Sequence, residues 1–282
     1  MENKGVEIKK NITELFNKVS SGFDGSGPRF FSYFGQRLVE FSGVKEGDKV
    51  LDVAAGKGAS LFVAANKVGV NGKVLGIDIA EGMVKETNLQ IEKRGIKNAE
   101  IMVMDAENLD FSGKTFDHIL CGFAVFFFPD YKIAFNEFKR VLKDGGSFSF
   151  TTFLRKRDEK FMWIGDLFDK YLPNRKDELD EYQEKDSPEF DTEEGLRKIL
   201  QEAGFENIEI ICEEKKFIYK DEQEWWDKLW TQGSREALER IPKDRLEDFR
   251  LEVFQKLSEI KEEEGIPAAM SVLYARCQTL SK

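Results

Sequence analysis

Short apolar runs alternate with amphipathic helical stretches through the middle of the chain. Runs with the length and period of strands occupy residues 49–53, 73–77, 100–103, 118–122 and 147–153. Between them, apolar residues recur at helical spacing over residues 59–68, 80–94 and 130–142. Strands and helices in this order join through right-handed crossovers and form a mostly parallel sheet. The pattern therefore predicts a doubly wound α/β core.

Helical patterns also flank this core on both sides. Two amphipathic stretches, 6–19 and 30–41, precede it and are separated by a glycine-rich segment. After it we predict an aromatic-rich helix at 158–172, a charged connection at 174–186 and a helix at 192–203 that Thr192 caps. A strand at 208–219 and helices that carry Trp225, Trp226 and Trp230 come next. An amphipathic helix at 245–263 and a strand at 269–277 end the pattern. The pattern divides the chain into a helical cover (1–45), a ligand-binding core (46–154), a helical cap (155–190) and a part that completes the sheet (191–282) with a helical insertion near 221–265.

The junction between the first strand and its helix, KVLDVAAGKGA at residues 49–59, is rich in small residues. Asp52 is the one acid in the apolar strand, and the turn after it contains Ala54, Gly56 and Gly58. Small residues let a ligand approach the backbone, and the start of the next helix offers free N–H groups. In doubly wound sheets a turn of this kind receives a nucleotide-like ligand.

Asp78 ends the second predicted strand, about twenty residues after the glycine turn. A carboxylate at this position accepts hydrogen bonds from ribose hydroxyls in doubly wound folds, and its alternative role is to cap the following helix. The turn departs from the dinucleotide-binding pattern, because Leu61 occupies the place of its third small residue. An NAD(P)-dependent oxidoreductase is therefore disfavoured but stays an alternative.

The composition restricts the partners. The 282 residues carry a formal net charge of −10, which argues against nucleic acid because phosphate binding needs clustered Lys and Arg. The three cysteines, Cys121, Cys212 and Cys277, show neither metal-ligand spacing nor a disulfide framework, which fits a reducing compartment. No signal core or membrane-spanning run is evident in the sequence. We expect a cytoplasmic protein with no membrane span and no metal.

Five segments, in this order, resemble the motifs of class I S-adenosylmethionine-dependent methyltransferases, and especially the group that includes the quinone-biosynthesis C-methyltransferases. They are VLDVAAGKGA, GIDIAEGM, MVMDAENL, FDHILCGFAVFFFPD and LKDGGSFSF, and they span roughly residues 46–152. The N-terminal FNKVSSGFD is more loosely similar to the cofactor-covering segment of that family. The resemblance implies a Rossmann-like seven-stranded sheet, mostly parallel with an antiparallel last strand, and S-adenosyl-L-methionine as the cofactor.

The resemblance also implies which residues of the first motif bind this cofactor. Asp52 belongs to the set, and the backbone around Ala54, Gly56 and Gly58 would contact the amino-acid part. Ala54 and Ala55 stand where the family often has Gly-Cys, and we expect the turn to survive because Ala is still small. Lys57 stands where relatives often have Thr or Ser, and we expect its side chain to point to solvent.

The next two motifs would hold the nucleoside part. By the same resemblance, Asp78 would bind the ribose hydroxyls, with Ile79 and Met83 against the adenine. Asp105 would accept a hydrogen bond from the adenine amino group, with the backbone of Ala106 beside it. Each of these positions follows the end of a predicted strand, where ligands of parallel sheets bind.

Gly122 and Phe123, after the fourth strand, would border the sulfonium and the methyl acceptor. Aromatic residues are frequent near this point and in the predicted cap, where most of them are expected to form core: Phe123, Phe126, Phe127, Phe128, Phe161, Trp163, Phe168, Trp225, Trp226 and Trp230. A few of them could line an apolar pocket. We therefore predict methyl transfer to a small apolar or aromatic acceptor, and the acceptor atom, its identity and the oligomeric state stay open.

No residue stands out as a general base, which methyl transfer needs only when the acceptor must lose a proton. His118, the single histidine, is predicted at the edge of the sheet opposite the ligand end. Asp24, Tyr33 and Asp130 are weak catalytic candidates near loops that should face the site, and each has a structural alternative, such as the helix N-cap for Asp130. No acid cluster suits a metal-dependent catechol enzyme. Because no general base stands out, a protein that binds the cofactor without transferring methyl stays a second alternative.

Overall fold

Seven strands form a single sheet in the computed structural model, which describes residues 2–156, 158–172 and 188–280. The strands are β1 (Lys49–Val53), β2 (Lys73–Asp78), β3 (Ala99–Val103), β4 (Phe116–Gly122), β5 (Leu142–Phe153), β6 (Glu206–Tyr219) and β7 (Ile266–Gln278). Their spatial order is β3-β2-β1-β4-β5-β7-β6. The pairs among β1 to β5 are parallel, whereas β7 is antiparallel to both β5 and β6. The predicted Rossmann-like sheet with an antiparallel last strand is confirmed.

Helices cover both faces of this sheet and extend beyond its ends. They are α1 (Glu2–Val19), α2 (Phe30–Ser42), α3 (Leu61–Val68), α4 (Glu81–Arg94), α5 (Tyr131–Val141), α6 (Trp163–Tyr171), α7 (Glu193–Glu202), α8 (Glu222–Trp230), α9 (Arg235–Arg240) and α10 (Leu246–Ile260). Short 3₁₀ turns occur at Val125–Phe127 and Glu159–Phe161. Among the described residues, no helix combines the length and the apolar character that crossing a membrane requires.

The strands of the central sheet are buried on both faces, which explains their continuous apolar runs. Val50 and Leu51 are neighbours in β1 and point to opposite sides, and both are fully buried. Leu51 belongs to a cluster with Phe135 of α5 on one face. Val50 belongs to a second cluster, with Phe34 of α2 on the other face. The two clusters hold the helices against a sheet whose carboxyl ends stay free for a ligand.

A separate apolar cluster joins α6, α8, α9 and α10, and we call these four helices the cap. Phe168, Trp226 and Phe249 meet in its centre, with ring centroids 4.9 Å apart for Phe168 and Phe249 and 6.1 Å apart for Trp226 and Phe249. The long helix predicted at 245–263 is shorter at both ends and buries one face. The connection predicted at 174–186 lies outside the described residues, and the domain boundaries stay a prediction.

Helix starts follow the capping residues in the sequence. The Asp130 carboxylate accepts hydrogen bonds from Lys132 N at 3.1 Å and Ile133 N at 3.2 Å, so it caps α5. Thr192 caps α7 in the same way. The helix predicted at 158–172 is divided, because Asp158 caps a 3₁₀ turn before α6 begins at Trp163.

Candidate active site

A cavity of about 1190 Å³ opens at the carboxyl ends of β1 to β5. Segments from α1 and α2 border it on one side and the cap borders it on another. Its lining includes every residue that the sequence predicts for cofactor binding: Asp52, Ala54, Gly56, Gly58, Asp78, Ile79, Met83, Asp105, Ala106, Gly122 and Phe123. The volume exceeds the range of about 300–1,000 Å³ that is usual for one small molecule. The cavity therefore has room for a cofactor and a second molecule.

The turn after β1 needs small residues for two different reasons. Ala54, Gly56 and Gly58 have positive φ values of 51°, 52° and 81°, so the chain turns through the left-handed region. A Cβ atom at Gly58 would lie 2.6 Å from the Phe62 ring, whereas a Cβ at Gly56 would meet no atom of the described chain within 4 Å. Because Gly56 lines the cavity, its missing side chain leaves space for a ligand beside the backbone. The turn keeps this left-handed geometry with Ala at position 54, as predicted.

Asp52 is buried at the end of β1 and lines the cavity floor. Burial and the nearby charge of Asp78 raise the pKa of Asp52 to about 8, although a hydrogen bond from the Leu61 backbone opposes this. Its Oδ2 atom has no hydrogen-bond partner among the described residues. A buried carboxylate oxygen without a donor is costly, and a ligand ammonium group would satisfy it. The amino-acid part of S-adenosylmethionine carries such a group.

Asp78 joins the turn to the start of α4. Its Oδ2 atom accepts a hydrogen bond from Gly56 N at 2.9 Å, and its Oδ1 atom accepts one from Ala80 N at 2.9 Å. Burial raises the pKa of Asp78, and these two hydrogen bonds oppose the shift. A carboxylate has about four acceptor positions, so two remain for hydroxyl groups of a ligand. The carboxylate supports the local backbone and keeps acceptor capacity toward the cavity.

Asp105 is held in place by the N-terminal helix. Lys9 of α1 lies 2.6 Å from Asp105 Oδ2 and 2.7 Å from Glu107 Oε2. The Asp105 Oδ1 atom accepts a hydrogen bond from Glu107 N at 2.9 Å. This pairing holds α1 over the ends of β2 and β3, where Met83 also packs against Val19 of α1. The sequence did not predict Lys9 at the site, because nothing in its local pattern indicates an ion pair 96 residues away.

Phe123 connects the cofactor end of the cavity with its aromatic wall. It follows Gly122 with a φ of 56°, and its N–H donates to the Thr151 carbonyl at 3.1 Å. Its ring centroid lies 5.5 Å from that of Phe31 and 4.7 Å from that of Phe153. Several aromatic residues predicted mainly as core line the cavity: Phe126, Phe127, Phe128, Phe161, Phe168 and Trp225. The tryptophans 163, 226 and 230 belong instead to the cap cluster.

The structure brings one of the three weak catalytic candidates to the cavity. Asp24 lines it, accepts a hydrogen bond from Ser32 Oγ at 2.9 Å, and has a pKa that is raised by burial. The Tyr33 hydroxyl donates to Glu213, and Asp130 caps α5, so both have structural partners and neither lines the cavity. His118 lies at the opposite edge, as predicted, 3.0 Å from Asp48 Oδ2.

Two lysines line the cavity in ways that the sequence did not predict. Lys57 is half-buried rather than directed into solvent, and its ammonium donates to the Ser21 carbonyl at 3.1 Å. Lys228 of α8 also lines the cavity, and the sequence analysis missed it. Its position three residues after Trp225 was the available signal, since residues at this spacing share a helix face. Among the described residues, no group of three or more His, Cys, Asp or Glu side chains could hold a metal ion.

Comparison with known proteins agrees with this geometry. The model of the ubiE/COQ5 methyltransferase family matches residues 5–213. An aklanonic acid methyltransferase from Streptomyces is 42% identical to this chain over 144 residues. The match covers 51% of this chain and 66% of the relative, which is just under two thirds of the relative's length. A demethylmenaquinone methyltransferase from Staphylococcus carnosus is 27% identical over 215 residues, covering 72% of this chain and 88% of the relative.

A solved structure described as a putative methyltransferase from Bacillus halodurans shares the fold, with a TM-score of 0.56, 24% identity and coverage of 87% of this chain and 98% of that one. The oxidoreductase alternative receives no support from these matches. Three features suit the cofactor of this family: the open space at Gly56, the acceptor capacity of Asp78, and the Asp52 oxygen that has no partner in the described part of the chain. The chain belongs to the ubiE/COQ5 methyltransferase family and is an S-adenosylmethionine-dependent methyltransferase.

Proposed function

We propose that the chain transfers a methyl group to a small, largely apolar aromatic acceptor that binds beneath the cap. The observation that carries this proposal is the single continuous cavity. Its lining combines the predicted cofactor residues at the ends of β1 to β4 with aromatic side chains of the cap, such as Phe161, Phe168 and Trp225. Since the cavity exceeds the usual size for one ligand, the second ligand has space next to the first.

Each acid at the sheet end of the cavity would bind a different part of the cofactor. Asp52 would accept from the ammonium group of the amino-acid part, and the backbone of Ala54, Gly56 and Gly58 would contact that part. Asp78 would accept from the ribose hydroxyls. Asp105 would accept from the adenine amino group while it keeps its ion pair with Lys9, which lies 2.6 Å away.

Ile79, Met83 and the Ala106 backbone would border the adenine, and Gly122 and Phe123 would border the sulfonium. S-adenosylmethionine supplies a methyl group on a sulfonium that is already a good leaving group. The chain therefore contributes mainly by position: it excludes water with its aromatic wall and holds the acceptor in line at about 3 Å. Asp24 is the candidate proton acceptor within the cavity, for acceptors that must lose a proton.

The names of the relatives guide the choice of acceptor. One is named for aklanonic acid and the other for demethylmenaquinone, so we propose a planar acceptor of the quinone or polyketide kind. The apolar, ring-rich lining under the cap supports this class. We also propose a cytoplasmic location, which agrees with three free cysteines, two of them buried.

Transfer of a tritium-labelled methyl group from S-adenosylmethionine to a panel of acceptors tests the proposal. The panel contains demethylmenaquinone, aklanonic acid and phosphoethanolamine. We expect label in at least one aromatic acceptor and none in the polar amine, and we expect Asp78→Ala to lower the rate about tenfold or more because a charge-assisted hydrogen bond is lost. Binding of the cofactor without transfer to either aromatic acceptor would contradict the proposed acceptor class.

A further inference from the structure

We propose that Lys228 binds an anionic oxygen of the methyl acceptor, so that the acceptor is an acidic aromatic compound with a carboxylate or a phenolate. This inference rests on the proposed function and deepens it, because it assigns a recognition residue and a charge to the acceptor. Lys228 lies on α8 in the cap and lines the cavity together with Trp225 and Leu229 of the same helix.

Aromatic rings surround the Lys228 ammonium. Its Nζ atom lies 5.4 Å from the Tyr219 ring centroid, 5.7 Å from that of Trp225 and 6.0 Å from that of Phe30. These rings attract the cation by their negative faces, but they give its three N–H donors no strong acceptor. The Lys228 ammonium makes no hydrogen bond or ion pair with any residue in the described ranges 2–156, 158–172 and 188–280.

The local electrostatics agree with a missing counter-ion. Burial lowers the pKa of Lys228 to about 8, and no acidic side chain opposes the shift. At neutral pH the group is still mostly protonated, since its pKa lies above the pH. A carboxylate or phenolate oxygen at this position would supply the Lys228 ammonium with a hydrogen-bond acceptor and a counter-charge.

The other cationic side chains that line the cavity have hydrogen-bond or ion-pair partners, or are exposed to water. Lys9 is paired with Asp105 and Glu107, Lys156 is paired with Glu214, and Lys57 donates to the Ser21 carbonyl. Arg29 and Arg94 are exposed, so water can solvate them. Within the described lining, Lys228 is therefore the half-buried cation that is left without an acceptor.

The position of Lys228 suits a ligand that must reach the cofactor end. The Phe30 ring, which its ammonium faces, lies edge-on to the Phe123 ring with centroids 6.5 Å apart. Phe123 borders the predicted position of methyl transfer. A planar acceptor lying along this aromatic wall would reach both ends, and an anionic group held by Lys228 would fix which of its atoms is presented.

Calorimetry with the full chain saturated with S-adenosylhomocysteine tests this inference. Two matched pairs of probes separate the two sources of the anion: anthraquinone-2-carboxylate with its carboxamide, and 2-hydroxyanthraquinone with 2-methoxyanthraquinone. The variants are Lys228→Met, which removes the charge, and Lys228→Arg, which keeps it. Lys198→Met, at an exposed lysine of α7, is the matched control.

We expect the wild-type chain to bind at least one anionic probe about tenfold more tightly than its neutral partner. Lys228→Met should lose this preference and keep its affinity for S-adenosylhomocysteine, whereas Lys228→Arg and Lys198→Met should keep both. Preference for the first or the second pair identifies the acceptor group as carboxylate or phenolate. No preference in the wild type, or a full preference in Lys228→Met, would overturn the inference. Failure of S-adenosylhomocysteine to bind would instead contradict the proposed function.

Discussion

Asp52 shows at the scale of one residue how a binding site can oppose stability. It is fully enclosed in the sheet, next to the charge of Asp78, and one of its oxygens has no partner among the described residues. An acid in such a place resists ionisation, so its pKa rises to about 8. A cationic ligand group in the cavity would recover the free energy that this burial costs.

The substitution Asp52→Asn should stabilise the ligand-free chain at alkaline pH. The pKa of Asp52 is about 8 in the folded chain and near 3.8 when unfolded, so its contribution to stability is full below about pH 4 and is lost as the pH rises to 8. Asn resembles the protonated acid and cannot ionise. In thermal unfolding we expect a gain of up to about 5 kcal/mol at pH 8, as the two pKa values imply, and roughly a third of that gain at about pH 5.

Asp110→Asn, at an exposed acid, is the control and should change the unfolding temperature little at either pH. An equal gain for Asp52→Asn at both pH values would show that Asp52 is ionised throughout this range. Calorimetry of the same variant should show weaker binding of S-adenosylmethionine, because the oxygen that would face the ligand ammonium loses its charge.

At the scale of elements, α2 packs directly against the turn that follows β1. A Cβ atom added at Gly35 would lie 2.8 Å from the carbonyl carbon of Ala59 and 2.9 Å from its oxygen. The glycine therefore permits a close approach between the helix and the backbone of the turn. This contact places α2 beside the turn that contains Gly56 and Gly58.

Gly35→Ala should therefore lower both stability and cofactor affinity. The added methyl group must push α2 or the turn aside, and overpacking of this kind costs about 1–3 kcal/mol. Denaturant unfolding measures the first effect and calorimetry the second. The matched control is Gly165→Ala in α6, where an added Cβ would meet no atom of the described residues within 4 Å and the helix should gain up to about 1 kcal/mol. Equal stability of the two variants would contradict the close contact.

The sequence predicts best those elements that are determined by local signals, such as a run of apolar residues or a capping residue. The apolar run of β1 and the Asp130 cap of α5 occur where predicted, because burial on both faces and N-capping leave local signals. Long-range pairing leaves no such signal. β5 begins at Leu142 rather than at residue 147, because Leu142 pairs with Phe116 of β4 before the glycines.

At the scale of the molecule, the cavity has two ends of opposite character. Asp52, Asp78 and Asp105 line the end formed by the sheet, whereas Lys228 lies among rings at the end formed by the cap. The acids could be predicted because they lie at or just after strand ends, inside motifs of known order. Lys9 and Lys228 were not among the predicted residues, because their contacts with Asp105 and with the Phe30 ring form only when distant helices pack over the sheet.

The measurement that tests the central claim most directly is calorimetric titration of the full chain with S-adenosylmethionine and, separately, with NADH. We expect one molecule of S-adenosylmethionine to bind per chain and NADH not to bind. Asp78→Ala should weaken S-adenosylmethionine binding about tenfold or more, since a carboxylate hydrogen bond is worth about 1.5–3 kcal/mol, while Asp110→Ala should leave it unchanged. Wild-type affinity in Asp78→Ala, or binding of NADH in place of S-adenosylmethionine, would contradict the account.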